Sequence, residues 1–112
     1  MGLREYLFGF SAEDRAVSWL EENKFKIIAR NFHSRFGEID IIASKDEILH
    51  FIEVKATSGD YCAASRVTPA KMSKILKAID YYILTNEICD DWQIDLIEIY
   101  PQRINFINNI SL

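Results

Sequence analysis

GEIDIIASKDEILHFIEVKA, residues 37–56, holds two apolar-rich runs around a short polar cluster. Gly37 to Ala43 and Ile48 to Ala56 are dense in the Ile, Val and Phe residues that suit a pleated, half-buried surface. Ser44-Lys45-Asp46-Glu47 between them reads as a turn, so the pair is expected to fold back as an antiparallel hairpin. Side chains alternate along a strand, which puts Glu38 and Asp40 on one face of the first run and Ile39, Ile41 and Ala43 on the other. In the second run Glu53 and Lys55 share a face, with Ile52 and Val54 opposite. Pairing centred on Asp46–Glu47 would set Asp40 directly across from Glu53; a slip of one residue would send them to opposite faces.

Working outward, Ser11 and Asp14 form a variant of the capping box that opens a helix running to about Asn23. Its apolar stripe is Ala16, Val17 and Leu20, and Glu13 falls on the same stripe. Phe25 to Asn31 has strand character. Downstream, Thr57-Ser58-Gly59-Asp60 breaks the pattern, and a mobile loop to Val67 is expected. Thr68-Pro69 then opens a second helix, with Thr as cap and Pro at the first helical position. Met72, Ile75, Leu76, Ile79, Tyr82 and Ile83 are its expected buried stripe, to an end near Thr85. Lys71 and Lys74 share its solvent-facing side. Trp92 to Tyr100 alternates strictly, and Ile104 to Ile110 offers a last edge strand. The order α-β-β-β-α-β, with a further β, predicts one α/β domain over residues 1–112, a mixed central sheet flanked by helices.

The 112 residues are 49% hydrophobic and 27% charged, too apolar for a disordered chain. No window approaches the ~20 uncharged apolar residues of a membrane span. Arg4 and Glu5 stand where a signal peptide needs an apolar run, and Cys62 and Cys89 lie far apart with no CxxC pattern. A cytoplasmic protein with reduced thiols and no zinc is expected. No GxxxxGK[ST] loop is present, so no nucleotide cofactor is expected. The net charge of −4 argues at first against nucleic acid. Its distribution argues the other way: residues 24–36 and 61–79 each carry +4, while 37–60 carry −4 and 80–100 carry −6. A basic surface is compatible with the acidic total, provided the two basic stretches meet in space.

Two adjacent carboxylates are unfavourable unless protonated or bridged by a cation. Hard oxygen donors such as Asp40 and Glu53 suit Mg²⁺ or Mn²⁺, and Glu13 could supply another oxygen. Lys55 beside them would steady an attacking water or developing negative charge. Phosphodiester hydrolysis needs this combination.

Asp40 followed by Glu53-Val54-Lys55 has the spacing of the PD-(D/E)XK nuclease motif. More narrowly, Arg30-Asn31, Gly37 to Ala43 and Phe51 to Lys55 resemble the YraN-like family of predicted endonucleases, distant relatives of archaeal Holliday junction resolvases. The resemblance spans nearly the whole chain, including Glu13 followed by Ala16 and Ile94-Asp95 in the late strand. It implies a restriction-endonuclease-like αβββαβ core and a metal-dependent deoxyribonuclease acting on DNA, branched or structured DNA included. By the same resemblance Asp40, Glu53, the Val54 carbonyl and Glu13 would hold Mg²⁺ or Mn²⁺, and Lys55 would assist the nucleophile. Lys71 would approach the phosphate backbone, with Lys74, Arg35, Arg30 and Arg66 as further nucleic-acid contacts. A homodimer with two sites is expected, since one small domain offers little surface for a branched substrate. The chain departs from the family at Gln93, where relatives commonly carry Arg.

Each residue also has a plainer reading. Glu53 and Lys55 could be an exposed ion pair, and Glu13 could merely favour the positive end of its helix. Asp95 reads as structural and His50 as solvated, on the face opposite the acids. Trp19 and Trp92 read as core anchors. The rival function is a non-catalytic nucleic-acid-binding or protein-adaptor module on the same fold.

Overall fold

A computed structural model describes residues 11–57 and 67–110. The elements run α1 (Ala12–Glu22), β1 (Lys26–His33), β2 (Glu38–Lys45), β3 (Ile48–Ala56), α2 (Pro69–Asn86), β4 (Asp91–Tyr100) and β5 (Arg103–Ile107). The five strands form one sheet in the order β1-β2-β3-β4-β5. β1, β2 and β3 are an antiparallel meander, β3 and β4 pair in parallel across the α2 crossover, and β5 returns antiparallel to β4. The expected mixed sheet flanked by helices is the observed fold, compatible with a restriction-endonuclease-like core.

Both helices start as the sequence reads. The Ser11 hydroxyl accepts the Asp14 amide at 3.2 Å, and the Thr68 hydroxyl accepts the Lys71 amide at 3.2 Å, with Pro69 in the first turn. Each helix then buries its stripe on one face of the sheet. Ala16 and Leu20 of α1 pack with Phe25, Ile41, Ala43, Ile52, Ile97 and Ile99. Ile75, Ala78 and Ile79 of α2 pack with Ile42, Leu49, Phe51 and Ile94 on the other face. Two expectations need correcting. Leu76 is 39% exposed, its place in the stripe being taken by Ala78, small enough to bring α2 close to the sheet. Ile39 joins Ile42 rather than Ile41 and Ala43, alongside its cross-strand partner Phe32. At this point Asn31, at φ 53°, breaks the alternation of β1.

His50 lies opposite the acids, as alternation predicts, but it is buried rather than solvated. Its Nδ1 is 2.5 Å from Asp95 Oδ2. Asp95 Oδ1 accepts from Gln93 Nε2 and from the Asn109 amide, each at 2.7 Å. Asp95 is therefore structural, and Gln93 is spent on fixing it. Trp19 stacks on Phe106 and Trp92 meets Phe51 edge to face, so both tryptophans anchor packing. No helix among the described residues is long and apolar enough to cross a membrane.

The hairpin register is set by a two-residue turn. Asp46 and Glu47 both take left-handed backbone angles, φ 53° and 66°, which match the twist of the strands they join. That conformation costs a non-glycine residue about 1 kcal/mol or more, and Glu bears it less readily than Asp. Replacing Glu47 with Gly should therefore stabilise the protein by about 0.5–1 kcal/mol, and Glu47→Val should destabilise it by about 1 kcal/mol or more. Urea midpoints of the two variants measure this; the reverse order would mean that the turn is not left-handed at both positions.

Candidate functional site

The turn places Asp46 opposite Glu47, and the pairing that follows sets Ile41 against Ile52. Asp40 and Glu53 are the next residues on the two strands, near enough for the Asp40 charge to act on Glu53. The bond that holds this end together is the Val54 amide donating to Asp40 Oδ2 at 2.8 Å. Glu53 points to the α2 side with Phe51 and is only 4% exposed. Its Oε2 is fully buried and has no hydrogen-bond partner.

These two acids form the floor of an open cleft of about 730 Å³. One wall is the turn between β1 and β2, with Ser34, Arg35, Phe36 and Gly37; the other is the first turns of α2, with Thr68, Lys71 and Lys74. Topology explains the meeting. A helix that follows β3 must start at the C-terminal end of that strand, where Glu53 lies, before crossing to the parallel β4. Gly37 lets the walls close up: a Cβ there would sit 3.0 Å from the Lys74 carbonyl oxygen. The turn is pinned by Ser34, whose hydroxyl accepts the amides of Phe36 and Gly37 at 3.1 and 3.2 Å.

Burial raises the pKa of both acids. Asp40 is pushed up by desolvation, opposed by the Val54 amide and the Lys71 charge. Glu53 is pushed up to about 8 by desolvation first and by the Asp40 charge second; Lys71 again works in the opposite direction. An acid pair so placed is short of positive charge, and an orphaned carboxylate oxygen is a ligand in waiting. Asp40, Glu53 and the Val54 carbonyl are all oxygen donors, the set that suits Mg²⁺ or Mn²⁺.

Other candidates from the sequence are placed less centrally. Lys55 follows Glu53 on the same face, half-buried, beside Glu98 in the β3–β4 register, and does not line the cleft. Glu13 is held away from it: its Oε2 accepts Arg30 Nε at 2.7 Å and Asn31 Nδ2 at 3.2 Å. Arg30 also binds Asp14 Oδ1 at 2.6 Å, which lowers the Asp14 pKa. Among the described residues no three of His, Cys, Asp or Glu form a ready metal cage. Arg35, Lys71 and Lys74 line the cleft; Arg30 does not. Arg66, Cys62 and residues 58–66 of the expected break and loop to Val67 lie outside the described residues. Sequence reasoning missed Phe36 and the close approach at Gly37. The signal available for both was their position, immediately before the strand that carries Asp40.

The sign of the Glu53 shift gives a stability test. In the unfolded chain this carboxyl ionises near its ordinary 4.5; in the folded protein it stays protonated up to about 8. Its contribution is fully present below about pH 4.5 and is lost as the pH rises towards 8. Without metal, the Tm of the wild type should therefore fall more steeply between about pH 5 and 8 than that of Glu53→Gln. Parallel Tm profiles would refute the shift.

Comparison with known proteins adds the lineage. Residues 12–99 match the family model described as Uncharacterised protein family UPF0102. A UPF0102 protein of Campylobacter hominis is 59% identical over 112 residues, covering 100% of both chains. One from Campylobacter concisus is 58% identical over 113 residues, again covering 100% of both, and one from Campylobacter jejuni is 55% identical over 111, covering 99% of both. With a model match over most of the chain and full-length relatives at this identity, the protein belongs to the UPF0102 family, the YraN-like family that its hairpin and late strand resemble.

Proposed function

We propose that the protein is a metal-dependent deoxyribonuclease of the PD-(D/E)XK type. The observation that carries this reading is the pair of half-buried Asp40 and buried Glu53, with an unpartnered Glu53 oxygen, on the floor of a cleft rimmed by Arg35, Lys71 and Lys74. A structural ion pair would not leave that oxygen alone, and a solvated acidic patch would not bury it.

Asp40, Glu53 and the Val54 carbonyl would hold Mg²⁺ or Mn²⁺. When bound, the metal would polarise the phosphoryl group and acidify a water ligand. The Val54 amide fixes the Asp40 carboxylate, so its orientation costs little on binding. Lys55, on the same strand face as Glu53, would have to turn its ammonium towards the cleft to meet the negative charge that develops on phosphate oxygens. Lys71 and Lys74 bind the strand from the helix side, and Arg35 binds it from the turn side. Glu13 would join the ligands only by leaving Arg30, so it acts first by holding α1 against β1.

A second reading has one observation in its favour. With Glu13 committed to Arg30 and Asn31, it is not free to join Asp40 and Glu53 as a ligand, as a non-catalytic nucleic-acid-binding or adaptor module would allow.

Cleavage of duplex, single-stranded, flap and four-way-junction DNA with Mg²⁺, Mn²⁺ or EDTA separates the two. The wild type should cut with metal only, and Glu53→Gln and Lys55→Ala should each lose at least about 10²-fold in rate while remaining folded. Binding without cutting by the metal-supplied wild type would favour the module.

A further inference from the structure

Beyond the cleft lies a second hollow of about 710 Å³, lined by Arg35, Phe36, Lys77, Asp80, Tyr81 and Leu84. Arg35 and Phe36 belong to both spaces, so the hollow continues the cleft rather than forming a separate site. Its apolar groups are open to solvent: Phe36 is 37% exposed, Tyr81 43% and Leu84 79%. The rings are ordered against one another. Phe36 and Tyr81 have centroids 6.0 Å apart at 56°, and Phe32 supports Tyr81 from 6.3 Å. The Arg35 guanidinium sits 5.0 Å from the centre of the Phe36 ring.

We infer that Phe36 and Tyr81 form a stacking platform for an unpaired base on the strand whose phosphate lies over Asp40 and Glu53, so that the substrate class is DNA with unpaired nucleotides beside the cut. This rests on the nuclease reading for the position of the phosphate, and deepens it.

Charge and shape favour this occupant. A single strand offers phosphates on one side and base faces on the other. The molecule offers Lys71, Lys74, Arg35 and Lys77 along the path, with exposed rings beside it. Asp80 is the one acid on the lining. Bases inside a blunt duplex are already stacked, so they have no free face to give the rings. Aromatic stacking of this kind is tolerant of sequence, and an arginine over a ring adds a cation to the same surface.

The test measures binding, apart from cleavage. Fluorescein-labelled oligo-dT of about 15 nucleotides and a blunt duplex of the same length are titrated with full-length protein in EDTA, following anisotropy. The wild type should prefer the single strand. Tyr81→Ala should weaken single-strand binding about tenfold and leave duplex binding in place, while Tyr81→Phe, which keeps the ring, should bind as the wild type does. Melting curves check that both variants are folded. Equal weakening on both DNAs, no weakening, or no single-strand preference in the wild type would overturn the platform. So would a Tyr81→Ala change in sedimentation with unchanged oligonucleotide affinity, which would make the patch a contact between copies. Because no metal is present, failure of the platform is distinguishable from failure of the nuclease reading. Ring-dependent binding without cutting in Mg²⁺ would spare the former and sink the latter.

Discussion

The hydrogen bond from the Val54 amide to Asp40 ties the whole site to the register of one hairpin. Two left-handed residues, Asp46 and Glu47, start that register, and the apolar pattern holds it. Ile41, Ala43 and Ile52 must reach the α1 core while Ile42 and Phe51 reach the α2 core. A slip of one residue would send a strand's apolar residues to the wrong cores and separate Asp40 from Glu53. The packing that stabilises the sheet is thus the same packing that forces two carboxylates together. Stability and site are set by one choice.

That choice has an energetic cost, visible in Glu53. A carboxyl with one buried, unpartnered oxygen beside another acid would be better replaced by an apolar residue if folding alone mattered. Lys71 offsets part of the cost from α2 without touching either acid closely enough to form an ion pair. Contrast the acids on the opposite face. Asp95 is equally buried, yet both of its oxygens are used, by His50, Gln93 and the Asn109 amide. Glu98 also keeps one buried oxygen without a hydrogen bond, but its other oxygen accepts from Asn105 and Tyr100 and it lies away from the cleft; of these buried acids it is Glu53 that opens onto the cleft.

Period-two alternation and turn chemistry are local, and what depended on them could be read from the sequence. The hairpin, the sharing of a face by Asp40 and Glu53, both helix caps and the mixed sheet all follow from spacing of a few residues. What depended on how elements dock could not be read in that way. Arg30 looks like a free cation in the sequence, but the tilt of α1 over β1 brings Glu13 and Asp14 to it. His50 alternates to the correct face, yet nothing near it in the chain announces Asp95, its partner across two parallel strands. Gly37 reads as an ordinary turn glycine; its contact with the Lys74 backbone exists only once α2 has packed. The family resemblance named more candidate residues than periodicity did, and it did not foresee that Glu13 would be held by Arg30 and Asn31.

The charge pattern is where long-range folding matters most for function. A net charge of −4 would weaken any approach to DNA if it were spread evenly. The topology sorts it instead. The turn after β1 carries Arg35 from the first basic stretch, and α2 carries Lys71, Lys74 and Lys77 from the second; the β3–α2–β4 crossover brings them to one mouth. Of the acids in the −6 stretch, Asp95 and Glu98 turn into the sheet, where they are buried. Asp91 and its neighbour Asp90 stand at the start of β4, which pairs with the start of β3, away from Glu53 near its other end. Much of the repulsion of a polyanion is thereby moved away from the cleft, where Glu38, Asp40 and Glu53 face Arg35, Lys71 and Lys74.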